Sequence, residues 1–66
     1  MTNSVITFNN ITKKVVYENQ HQRPESAYEE YLNNIRITKK FIKKGEEITI
    51  ARLRDGHIMT FETIRG

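Results

Sequence analysis

The residues able to do covalent or metal chemistry are few and badly placed for it. His21 and His57 are the only imidazoles, and the chain has no cysteine. A structural or catalytic zinc site draws on thiolates and imidazoles at short, regular spacing, and neither histidine shares a helical or hairpin ligand spacing with a carboxylate. Nucleophilic catalysis needs a hydroxyl beside a base, but Ser4 lies near the chain start and Ser26 in the first turn of a predicted helix. Glu29 and Glu30 are adjacent on that helix and point in different directions, so they do not form an acid/base pair. The glycines are two turn residues, Gly45 and Gly56, and Gly66, so no glycine-rich phosphate loop exists. These observations predict no catalytic residue, no metal and no cofactor. The expected activity is binding.

The basic residues are the first candidates for that binding. Lys39, Lys40, Lys43 and Lys44 surround one turn, and Arg52 and Arg54 end the strand that follows it. Residues 1–34 hold Lys13, Lys14 and Arg23 against four glutamates, a net −1, whereas residues 35–66 hold eight Lys and Arg against four acids, a net +4. If the third to fifth predicted strands are adjacent, Arg36, Lys40, Lys44, Arg52 and Arg54 contribute to one cationic surface, which would contact nucleic acid mainly through phosphates, with release of counterions and little sequence readout. Tyr17, Tyr28 or Tyr31, if exposed, would add base stacking. The plainer reading is that lysines flank turns because turns are wet, and that edge lysines block aggregation. A second class of partner follows from the helix acids Glu25, Glu29 and Glu30, which match a basic surface on another protein.

The elements that must position these residues can be read from turn signals and periodicity. Val5 to Glu18 reads as a hairpin, with a turn either at Asn9-Asn10 or at Lys13-Lys14; the first has the better turn chemistry and the second pairs apolar with apolar. Pro24 suits the first turn of a helix and Glu25 complements its dipole. Ala27, Tyr28, Tyr31 and Leu32 then form an apolar stripe, and Asn33-Asn34 predicts the helix end. Ile35 to Lys44 alternates as a strand, apart from Lys39, which falls on the apolar side and implies a bulge or break. Lys44-Gly45 and Asp55-Gly56 are turns between strands. Asp-Gly predicts a type I′ hairpin, because both central residues of that turn need φ > 0. A two-residue loop there pairs Arg54 with His57, Arg52 with Met59, Ile50 with Phe61 and Ile48 with Thr63. One sheet face then holds Ile48, Ile50, Met59 and Phe61, and the other is still too apolar for plain solvent surface, a hint of a partner.

The predicted order is ββαβββ across one domain, residues 1–66. The fold class is α+β: a small curled antiparallel sheet, either an SH3-like or Sm-like barrel or an open sheet, with one short helix. At 36% hydrophobic and 29% charged residues the composition is that of a globular protein. A chain this short lies near the lower limit for folding without a metal, a disulfide or a partner, so a homodimer is one expected source of stability. No stretch has the apolar length of a membrane span, and the polar start argues against secretion, so a cytoplasmic location is expected. The Ile/Lys/Asn-rich composition is typical of AT-rich bacterial genomes and their phages. The expectation is a small regulatory or accessory protein of that type. It binds nucleic acid through the basic turn and strand, or it is an inhibitor or adaptor that occupies a surface of a larger host enzyme or complex.

Overall fold

A computed structural model describes residues 2–66. Its elements are β1 (Asn3–Asn9), β2 (Lys14–His21), α1 (Pro24–Phe41), β3 (Glu47–Arg54) and β4 (His57–Arg65). The strands form one antiparallel sheet in the order β2-β1-β3-β4, so α1 carries the chain over β1 from one edge strand to an interior strand. The sheet is open, with β2 and β4 as its edges, and the helix lies across one face.

The largest departure from expectation is at Ile35 to Lys44. The predicted third strand is instead the second half of α1 and the loop after it, so the order is ββαββ. Ala27, Tyr31 and Ile35 are buried at four-residue spacing, and Ile42 packs against the same cluster. That period belongs to a helix, and Lys39 was the residue that broke the strand alternation. Asn33 does not stop the helix; its side chain accepts a 2.6 Å hydrogen bond from Arg36 one turn on. Pro24 opens the helix as expected, Glu25 lies in its first turn, and Lys39 and Lys40 lie in its last. Both charges oppose the end of the helix dipole they face.

The two hairpins each carry a bulge, and the bulges decide which side chains reach the core. In β4 the register runs Arg54 to His57 and Leu53 to Ile58, then Arg52 to Thr60, which leaves Met59 as the extra residue. Beyond the bulge Ile48 pairs with Ile64 and Ala51 with Phe61, so Ile64 enters the core and Phe61 moves to the opposite face. A one-residue slip reverses every side chain along a strand, which is why the expected Ile50–Phe61 pair does not form. The Asp55-Gly56 turn itself is as predicted, with φ of 51° and 82°.

In the N-terminal hairpin neither expected turn forms. A longer loop joins Asn9 to Lys14, closed by Lys13 N–H donating to Asn9 O at 2.8 Å, with Lys13 at φ 63°. The Asn9 side chain accepts from the N–H groups of Ile11 and Thr12 and so stabilises the bend. Val16 is the extra residue here, since Thr7 pairs with Tyr17 and Phe8 with Val15.

The core lies between α1 and the sheet. Val5 from β1, Ile48 and Ile50 from β3, and Ile64 from β4 pack against Ala27, Tyr31 and Ile35.

Candidate binding surfaces

The topology sorts the charges to the two ends of the strands. The β1–β2 loop, the end of α1 and the start of β3 all lie at one end, tied by Asn10 N–H donating to Glu47 O at 2.9 Å. Lys13, Lys14, Lys39, Lys40, Lys43 and Lys44 therefore share that end, and all are exposed. The carboxyl of Glu47 marks the junction. Hydrogen bonds from Asn10 and Arg65 hold it below the usual carboxylate range, helped by the positive charges of Arg65 and Lys13. With Arg65 included, this end has seven cations against Glu46, Glu47 and Glu62, a surplus of four, which exceeds the +3 of the whole chain. The remainder is net negative.

Arg52 and Arg54 are not part of this group. They close β3 at its far end, roughly 17 and 23 Å from Glu47 at about 3.3 Å per residue. Arg52 is half-buried under the helix, its guanidinium 5.3 Å from the centre of the Tyr28 ring, a cation–π contact. Its Nε and the Oγ1 of its cross-strand neighbour Thr60 are buried without hydrogen-bond partners among the described residues. Arg54 pairs across the hairpin with His57, which is exposed. Lys13 and Lys14, which lie in the acidic half of the chain, join the cationic end only through the long loop. Paired charges on adjacent strand ends leave no trace in linear charge counts, so sequence reading missed them.

Glu30 is used inside the molecule. Tyr17, Asn19 and His21 alternate along the helix-facing side of β2, and all three reach its carboxylate. Tyr17 donates at 2.6 Å, Asn19 at 3.2 Å, and His21 Nε2 lies 2.8 Å away. Partial burial pushes the Glu30 carboxyl up, but the bonds from Tyr17, His21 and Asn19 outweigh it and hold the group below its ordinary value. The same bond to Glu30 pushes the Tyr17 hydroxyl up. Glu25 and Glu29 stay exposed on the helix, with Glu29 beside an open polar cleft that His21, Ser26 and Asn33 also line.

Among the described residues, no layer covers the face of the sheet away from α1. Ile6 and Phe8 of β1, Ala51 and Leu53 of β3, and Ile58 and Phe61 of β4 lie on it. Phe61 is 64% and Ile58 60% exposed, whereas Ala51 between them is 3% exposed. Larger cross-strand neighbours close over its methyl group. Among the described residues there is no cluster of three or more His, Asp or Glu able to hold a metal, and no helix is long and apolar enough to cross a membrane. Comparison with protein-family models, with curated proteins and with solved structures finds no match to this chain.

Proposed function

We propose that this is a small non-enzymatic regulatory or accessory protein, of phage or bacterial type, that binds the phosphate backbone of a nucleic acid through its lysine-rich end. The observation that carries this reading is the gathering of Lys13, Lys14, Lys39, Lys40, Lys43 and Lys44 at one end of the sheet, all exposed. Lysines on flexible stems contact phosphates without fixed geometry, so the binding is electrostatic and indifferent to sequence. Arg52, committed to Tyr28, contributes little.

Four to six phosphate contacts give a slope of log K against log salt of about −4 to −5 on duplex DNA. Fluorescence anisotropy with labelled duplex DNA and single-stranded RNA, from about 50 to about 200 mM salt, measures it. Lys43→Glu/Lys44→Glu and Lys13→Glu/Lys14→Glu variants should both weaken binding and flatten the slope. Absence of binding to either probe at the lowest salt ends the reading. An effect confined to the Lys43/Lys44 pair would show that the two loops do not act as one surface.

A second reading, a protein-binding inhibitor or adaptor, rests on β2. This edge strand is exposed from Lys14 to Gln20 and runs beside the helix that carries Glu25 and Glu29. An unpaired edge offers backbone groups for strand addition by a partner, and the acids would select a basic one. A pull-down from host lysate, with and without nuclease, tests it; recovery of no partner in either sample counts against it.

A further inference from the structure

An antiparallel sheet can leave one face to water, but here the face away from the helix exposes the large apolar side chains of Phe61 and Ile58, a feature of interaction surfaces. We propose that the other face is covered by a second copy of the same chain, sheet against sheet at the spacing of about 10 Å usual for such packing. The inference is independent of the nucleic-acid reading, because the lysine-rich end and this face share no lysine.

The relief of the face is self-complementary. A two-fold interface needs the projecting group and the hollow that takes it on the same patch, since each copy presents one surface. Phe61 and Ile58 project beside a hollow of about 300 Å³ that Ile6, Phe8 and Ala51 also line. Ala51, paired directly with Phe61 across the strands and covered by its larger neighbours, is the floor of that hollow, and the side chains around it are the walls between which the other copy's apolar side chain fits.

The broad side of the molecule measures 36 × 21 Å, a bounding rectangle of about 750 Å², so a contact on the scale of the roughly 800 Å² per partner of a stable interface would engage the whole sheet face.

Charge selects the occupant and its orientation. By register the charged residues on this face are Glu18 at the β2 edge and the Glu47–Arg65 pair at 2.8 Å. A phosphate or an anionic lipid surface finds no lysine there. An identical copy meets an apolar centre with its own ion pair already satisfied. With the lysine-rich ends side by side the copies would repel. A two-fold axis in the interface and across the strands instead lays each lysine-rich end over the far end of the other, where Arg23, Arg52 and Arg54 stand against Glu25 and Asp55 and the positive surplus is smaller. Ile58 of one copy then faces the Thr63 region of the other.

Sedimentation velocity on the intact chain at about 100 µM, repeated on serial dilution, reads the state directly. The expected result is a dimer that dissociates on dilution. Phe61→Ser and Ile58→Thr, both at exposed strand positions where the side chain adds little to the monomer core, should each give monomer at the concentration where the parent is dimeric. Far-UV circular dichroism should show the strand and helix signal unchanged in both. A Lys43→Glu/Lys44→Glu variant should remain dimeric, which separates this proposal from the nucleic-acid one. A parent that is monomeric at the highest concentration overturns the proposal and leaves the face to a different protein. A dimer that survives both substitutions at the sheet face overturns it as well, because the contact then lies elsewhere.

Discussion

Tyr17 on the edge strand β2 donates a 2.6 Å hydrogen bond to Glu30 on α1, and this pair pins the outermost strand to the helix. β2 brings no buried apolar side chain to the core, so its attachment to α1 depends on polar contacts. The bulge at Val16 makes the bond possible, because it puts Tyr17, Asn19 and His21 in phase on the helix-facing side.

Removing the phenol hydroxyl with Tyr17→Phe should cost about 0.5–1.5 kcal/mol at neutral pH, since the acceptor is charged but Tyr17 is 41% exposed. Glu30 is held below its ordinary value in the fold. Its bonds therefore add stability that is complete above the unfolded carboxyl value of about 4.3 and is lost as pH falls through the lower folded value. The gap between parent and variant in urea unfolding should be widest near neutrality and should close below about pH 4. A gap that does not change with pH would mean that the hydroxyl, and not the carboxylate, sets the cost.

The helix start lacks a side-chain cap. Arg23 holds the N-cap position with φ −114° and ψ 138°, and its side chain makes no capping bond. Asp or Ser there would accept from a first-turn N–H and would remove a positive charge from the positive end of the dipole. Arg23→Asp should raise stability by about 0.5–1.5 kcal/mol in thermal or urea unfolding. An unchanged midpoint would show that water already satisfies this turn.

At Gly56 the demand is on the backbone alone. Its φ is 82°, and a side chain added there would meet no atom within 4 Å. Gly56→Ala should cost about 1 kcal/mol through the left-handed backbone, and Gly56→Asn distinctly less. Equal losses for the two would point to a contact rather than to φ.

Ile50 is fully buried at the centre of the core. Ile50→Val should cost about 0.5–1.5 kcal/mol, whereas Ile50→Ala, at about 2–5 kcal/mol, should leave so small a domain largely unfolded at room temperature. Far-UV circular dichroism checks both, and an Ala variant that stays folded would mean that the helix collapses onto the cavity.

The local code was legible where one interaction decides the outcome. Pro24 with Glu25 marked the helix start, and Asp55-Gly56 marked the hairpin, because a ring-fixed φ and a left-handed φ are properties of single residues. The helix end was misread because Ile35, Ile37 and Phe41 satisfy a two-residue period almost as well as Ala27, Tyr31, Ile35 and Ile42 satisfy a helical one. Only burial against Val5 and Ile50 separates the two. Asn33-Asn34 looked like a stop, yet a helix propensity cost of a few tenths of a kcal/mol per residue is small beside that burial.

The candidate surfaces show the same division. Residue content and order were enough to set the quantity of charge, the four lysines around Gly45 and the surplus of apolar residues for a single core face. Tertiary structure alone decided where they went. Antiparallel pairing of β1 with β3 brought Lys13 and Lys14 to Lys43 and Lys44 and sent Arg52 and Arg54 to the far end. The bulge at Met59 sent Phe61 out to the uncovered face and Ile64 into the core. Pairing and register are settled by the sum of many weak side-chain contacts across the sheet, and a single extra residue reverses every position beyond it.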